Sequence, residues 1–201
     1  MKSLKKLAIF GYGGHAREVA AQIGKPVTFF VDTNRRFGNI TQDIRTFDPT
    51  THMMMVAVAD PIDRERIVDR LPKNTQYFTF IHQTALILEP SMVSIGIGSF
   101  IGAYSIITTD IQLGKHAILN RACHIGHDTK IGDFFSAMPG AIVSGNCTIG
   151  DRVYLGTNSS VKERIRIDDG ITLGMNSCLT VNPEIPNGIY GGVPAKLLKL
   201  K

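Results

Sequence analysis

Two histidines and an acid stand close together in Asn120-Arg121-Ala122-Cys123-His124-Ile125-Gly126-His127-Asp128. An imidazole ionises near neutral pH, so it can take a proton from a reacting group and later return it. A neighbouring carboxylate can hold such a ring in one tautomer. His127 has that neighbour in Asp128, and His124 does not. Adjacent side chains on a straight strand point to opposite faces, so this pair can meet only where the chain turns a corner. A second chemical signal is Gly11-Tyr12-Gly13-Gly14-His15-Ala16. Glycines there let backbone N–H groups approach a phosphate at a helix N-terminus. The spacing satisfies G-x-G-x-x-A, with Asp32 placed 21 residues after Gly11, as in dinucleotide sites.

The elements around the glycine turn read as a βαβ start. Residues 4–10 form an apolar strand, a helix runs to Ile23 and is closed by Gly24, and residues 27–31 form a second strand ending in Asp32. Residues 53–59 are a third strand. Asp60 is an N-cap and Pro61 the first residue of a helix that ends at Leu71, before Pro72. Residues 77–81 read as a fourth strand. About 80 residues make roughly half of a full dinucleotide fold. The turn therefore reads as a site for one nucleotide or nucleotide sugar, with an intact dinucleotide site or a purely structural turn as the alternatives.

The rest of the chain follows a different rule. Every sixth residue from Ile95 to Leu179 is apolar: Ile95, Ile101, Ile107, Leu113, Leu119, Ile125, Ile131, Ala137, Val143, Ile149, Leu155, Val161, Ile167, Leu173 and Leu179. A period of six fits neither a helix nor a simple strand, and is that of a parallel β-helix. Three hexapeptides make a coil of 18 residues, and stacked coils bury one continuous core. The residue four after each aliphatic is mostly small or β-branched, as in Ser99, Ala117, Cys123 and Cys147, and fills the remaining interior. Glycines that follow the aliphatics are expected where the backbone turns tightly or takes positive φ. Two domains result: 1–81, Rossmann-like, and 82–201, the β-helix.

Composition bounds the function. At 201 residues the chain has three cysteines without metal-ligand spacing, which fits core filler in a reducing cytoplasm. No run approaches the roughly 20 apolar residues of a membrane span, and the start MKSLKKLAIF reads as a strand, not a signal peptide. The net charge of +5 suits anionic small molecules. Basic residues are spread along the chain except for Lys196, Lys199 and Lys201, and none interleave with aromatics, so nucleic acid is not the expected partner.

Gly-Tyr-Gly-Gly-His-Ala-Arg-Glu-Val (11–19), the small α/β domain, the hexapeptide repeat and Gly-Val-Pro-Ala-Lys (192–196) together resemble the bacterial sugar acetyltransferases. That family N-acetylates UDP- or dTDP-linked 4-amino-4,6-dideoxy sugars, or O-acetylates sialic acid. The resemblance implies a left-handed β-helix, a cytoplasmic homotrimer with active sites between subunits, acetyl-coenzyme A as co-substrate and no metal. It maps the general base onto His127 and its partner onto Asp128. It points to Asn120 as a further active-site residue, for which a corner amide stacked in the repeat is the alternative, and to Gly145 N–H as the oxyanion donor. It places Gly13, Gly14 and His15 near the sugar-nucleotide phosphates, and Asp32 and Asp60 near its base or ribose. Gly192, Val193, Pro194, Ala195 and Lys196 would hold the nucleotide end of coenzyme A.

One departure stands out. Many relatives carry a histidine between Asp-Phe and Pro-Gly, where this chain has Ser136, so Ser136 is the residue expected to replace it against substrate. Direct transfer is expected, because no serine or cysteine sits beside a base in a nucleophile motif. Zinc carbonic anhydrases share the β-helix, but their His-x4-His pair is absent: His116, His124 and His127 are spaced by 8 and 3. A non-catalytic ligand-binding β-helix is the remaining alternative.

Overall fold

The computed structural model describes residues 4–32, 34 and 37–200, so Lys201 lies outside the described residues. Five parallel strands open the chain: β1 (Lys6–Phe10), β2 (Val27–Val31), β3 (Thr41–Asp43), β4 (His52–Val56) and β5 (Gln76–Tyr77). Their order in the sheet is β3-β2-β1-β4-β5. Helix α1 (Gly14–Ile23) ends at Gly24 in the left-handed conformation, where glycine carries no steric cost. Helix α2 (Pro61–Arg70) starts as its sequence dictates, with the Asp60 side chain accepting from Asp63 N at 2.9 Å. The short strand β3 has no apolar run to announce it. The strand expected over 77–81 is two pieces: β5 closes the first sheet, and Phe80–Ile81 already pairs with Phe100–Ile101 in the next domain.

From Phe80 onward the chain is a left-handed parallel β-helix of three sheets. Registers such as Ile107↔Ile125, Ile131↔Ile149 and Leu155↔Leu173 are 18 residues apart, one coil each. The first coil is longer, because the turn at Pro90–Met92 interrupts it before the sixfold count begins at Ile95. Fourteen of the fifteen repeat aliphatics are buried, and Ile95, at the open end, packs against them half-buried. The chain ends in an antiparallel hairpin, Gly188–Gly192 with Ala195–Leu200, that extends the first face.

The glycines after the aliphatics have a different role from the one expected. Positive φ recurs every six residues, but three places after the aliphatic, at residues such as Tyr104, Asp110, His116, Asp128, Phe134 and Asn146. Gly114 takes no positive φ; a Cβ there would lie 2.4 Å from the backbone of Gly132 in the next coil. Close approach of neighbouring coils, not turning, selects glycine at that place.

The three outer faces differ, and the difference positions the site. The first presents Phe80, Phe100, Ile118 and Tyr154 beneath α1 and the strands, in one apolar cluster with Ile9, Ala16, Val19 and Met55. The third presents Ser94, Gln112, Lys130, Thr148 and Arg166. The second presents Leu86, Ile106, His124, Ile142, Ser160 and Cys178, with Leu86 and Ile142 exposed and, among the described residues, no element packed over them. Among the described residues no helix is long and apolar enough to cross a membrane.

Candidate active site

The strand His124–Ile125 leaves the second face and turns onto the third through His127 and Asp128. Asp128 takes φ of 56°, which breaks the alternation of a straight strand. The two adjacent side chains then meet: His127 Nδ1 and Asp128 Oδ2 are 2.7 Å apart at an exposed edge. Aspartate is thus long enough to reach its partner here. With Nδ1 occupied by the carboxylate, Nε2 is the nitrogen left to exchange a proton. One coil on, Gly145 lies under the ring. A Cβ at Gly145 would stand 2.5 Å from His127 Nε2 and 2.6 Å from Cε1, so this glycine is the floor on which the imidazole rests. Asn146 N donates to His127 O at 2.7 Å and ties the two coils together.

Asn120 sits at another edge, between the first and second faces, and no contact joins it to His127 within one chain. It is buried, and its Oδ1 accepts from Arg121 N at 2.8 Å. Arg121 in turn pairs with Glu18 of α1 at 3.1 Å, which brings this edge beneath the N-terminal domain. His124 projects from the middle of the second face.

The glycine turn forms one wall of a cavity of about 930 Å³, lined also by Asp32, Ala57, Val58, Ala59, Arg66 and Arg70. The cavity lies at the C-terminal ends of β1 and β4, where the strand order reverses, as in other open parallel sheets. Nothing lies within 4 Å of a Cβ built on Gly13 or Gly14, and no side chain caps the α1 N-terminus, so both glycines border open space in the cavity. The His15 ring packs edge-on to Phe100 and leaves Nε2 buried without a hydrogen-bond partner among the described residues. Burial first, and Arg64 second, lower its pKa to about 4, so it is a neutral ring at pH 7. Asp32 is paired with Arg70 at 3.3 Å across the cavity.

Two of the expected substrate-binding residues lie outside the cavity lining. Asp60 does not line the cavity; its carboxylate caps α2. Ser136 is fully buried under the N-terminal domain, donating to Ala59 O at 2.7 Å and accepting from Arg64 Nη2 at 2.9 Å, so its one O–H is already committed within the protein. The coenzyme segment is the hairpin turn at the far end of the prism. Val193 and Lys196 are exposed, Ala195 is buried, and Gly192 N donates to Ser177 Oγ at 3.0 Å. About four coils separate it from His127, close to 19 Å along the axis. Among the described residues no group of three His, Cys, Asp or Glu could hold a metal ion.

Sequence reasoning missed Arg64. A signal exists, since Arg64 falls with Pro61 and Ile67 on the inward stripe of α2, a place for apolar residues.

No protein-family model matches the chain. It is 28% identical over 111 residues to GDP-perosamine N-acetyltransferase of Escherichia coli O157:H7, which is 55% of this chain and 49% of that protein. The chain thus spans about half the length of the curated relative it matches. A mutant perosamine N-acetyltransferase from Caulobacter crescentus, in complex with CoA and GDP-perosamine, superimposes with a TM-score of 0.85, 22% identity and 98% coverage of both chains. WeeI from Acinetobacter baumannii AYE gives 0.85, 24% identity and coverage of 97% of this chain and 100% of that one. The acetyltransferase domain of PglB from Neisseria gonorrhoeae FA1090, in complex with acetyl coenzyme A, gives 0.66, 25%, 98% and 100%. The resemblance to bacterial sugar acetyltransferases read from the sequence is upheld, and the shared fold extends over nearly the whole chain.

Proposed function

We propose that this chain is an acetyl-coenzyme A-dependent N-acetyltransferase for a nucleotide-linked 4-amino-4,6-dideoxy sugar of surface glycan synthesis. The observation that carries the reading is the His127–Asp128 pair resting on Gly145 at an open edge of the prism. His127 Nε2 takes the proton as the sugar amine attacks the thioester carbonyl. Gly145 N–H donates to the thioester oxygen as it gains charge, a contribution of about 3–4 kcal/mol for such a donor. The acetyl carbon–sulfur bond then breaks, and His127 returns its proton to the departing sulfur. Asp128 keeps Nδ1 protonated and steadies the imidazolium. The hairpin Gly192–Lys196 holds the far end of coenzyme A, with Lys196 toward a phosphate.

The α/β domain, residues 1–81, binds the sugar nucleotide and residues 82–201 transfer the acetyl group. Gly13, Gly14 and His15 face the phosphates, and Asp32 the base or ribose. The sequence resemblance points to UDP or dTDP; two similar proteins are named for GDP-perosamine, which adds GDP to the nucleotides to be tested. The second face supports a homotrimer. Its unpartnered Leu86, Ile106 and Ile142 lie between the Asn120 edge and the His127 edge. Packing that face around a threefold axis brings the Asn120 edge and nucleotide cavity of one subunit to the His127 edge of the next. The cytoplasm is the compartment that suits three free cysteines and a coenzyme A substrate.

The test is free-thiol release from acetyl-coenzyme A with UDP-, dTDP- and GDP-linked 4-amino-4,6-dideoxy sugars, and with sialic acid as the hydroxyl acceptor. Turnover of an amino sugar nucleotide, with kcat lowered about 10²–10⁴-fold in His127→Ala, is the expected result. Turnover of sialic acid alone, or an unaltered kcat in His127→Ala, overturns it.

A further inference from the structure

Arg64 is 1% exposed, yet no carboxylate is among its hydrogen-bond partners. Nε donates to His116 O at 2.8 Å. Nη1 donates to Val58 O at 2.6 Å and Ala59 O at 3.2 Å. Nη2 donates to Phe134 O at 2.6 Å, Phe135 O at 3.1 Å and Ser136 Oγ at 2.9 Å. Ser136 closes the ring by donating to Ala59 O. A buried cation whose hydrogen bonds all go to neutral acceptors, with the Asp60 carboxylate acting on it only through space, is an expensive joint, and an apolar side chain would join two packed surfaces at lower cost. What the guanidinium adds is geometry, because its planar fork fixes several acceptors in one arrangement.

The identity of those acceptors carries the inference. His116 and Phe134 are 18 residues apart, the two ends of a single coil. That coil contains Asn120, His127 and Asp128. Val58 and Ala59 are the cavity wall that follows β4. One guanidinium therefore clamps both ends of the coil bearing the His–Asp pair to the wall of the nucleotide cavity. Resting on the function proposed above, we infer that Arg64 is a positioning residue: by fixing the nucleotide cavity to the coil of its own chain, which packs on the next subunit, it sets the bound sugar nucleotide against that subunit's His127. It touches neither substrate. The burial of Ser136 follows from the same clamp: a small hydroxyl there admits the guanidinium and also accepts from it.

The experiment compares the full-length wild type with Arg64→Met and Arg64→Lys. Expected for Arg64→Met is a kcat about 100-fold lower, with the Kd values for nucleoside diphosphate and coenzyme A, by calorimetry, within threefold of wild type. Lysine keeps the charge but not the fork, so Arg64→Lys recovers less than a tenth of the lost kcat. Amide exchange at residues 57–59, 116 and 134 rises at least tenfold in both variants, while the far coils stay protected. Full recovery by lysine makes the role one of charge and overturns the inference. So does a kcat per folded molecule within threefold of wild type alongside a lowered melting point, which is a purely structural role. Should Arg64→Met fail to fold, Arg64→Lys and its exchange pattern decide. A wild type that releases no thiol with any acceptor refutes the functional reading, whereas unchanged exchange in the variants refutes the clamp whatever the turnover.

Discussion

Substituting Gly145 by alanine tests the catalytic geometry with one methyl group. Gly145 has no positive φ, so alanine brings no backbone penalty. The new Cβ would stand 2.5 Å from His127 Nε2, and ordinary contact begins near 3.4 Å. The ring must retreat by about 0.9 Å, and it has room to do so, since the His127 side chain is 55% exposed. Stability should therefore change by less than about 1 kcal/mol. A displacement near 1 Å at the proton-accepting atom should lower kcat roughly 100-fold, or about 2.7 kcal/mol in the barrier. The assay is thiol release at saturating substrates, run also in a His127→Ala background. If the methyl acts by displacing the ring, Gly145→Ala has no further effect once the ring is gone. A wild-type kcat in the single variant would refute the reasoning. A 100-fold loss that persists without His127 would assign the effect to the Gly145 N–H instead of to the ring.

Other consequences can be measured directly. His15 and His116 are both held down to about 4, mainly by burial, with Arg64 the next cause. Their unfolded value is near 6.5, so the unfolded chain binds more protons below that pH. The stability they contribute is complete above pH 6.5 and is lost as pH falls toward 4. Each should cost about 2 kcal/mol between pH 7.5 and 5, so urea midpoints should drop steeply over that interval, and a flat profile would contradict the buried neutral rings. Gly14→Val should weaken nucleoside diphosphate binding by tenfold or more while oligomer size is kept, because the side chain enters the open space of the cavity; loss of the assembly instead would make the turn structural. Ser136→Ala should reduce unfolding free energy by about 1–2 kcal/mol with nucleotide affinity within threefold of wild type; a tenfold loss of affinity would place the hydroxyl against substrate after all.

Several features were legible because they are periodic or local. Fifteen aliphatics at one spacing announced the β-helix, since only a repeating coil returns every sixth side chain to one interior. The α1 and α2 boundaries followed from Gly24 and from Asp60-Pro61, which act within one turn of the backbone. Other features were not legible. β3 is three residues long with no pattern of its own, and residues 77–81 hold enough apolar residues for one strand but serve two sheets. The role of glycine in the coils depended on spacing between coils, a distance that no local spacing contains.

What the chain determined by itself is therefore the parallel β-helix and the corner at which His127 and Asp128 can meet, because both follow from the six-residue period. What only the tertiary structure decided is which polar residues remain free. Ser136 and Arg64 look available in one dimension, whereas Asp60 already reads as a helix cap. Packing commits Ser136 to a buried clamp and Arg64 to six neutral acceptors drawn from segments up to 72 residues away. A hydroxyl, a carboxylate or a guanidinium has a fixed number of hydrogen bonds to make. Whether protein or ligand receives them depends on neighbours that only folding brings within 3 Å.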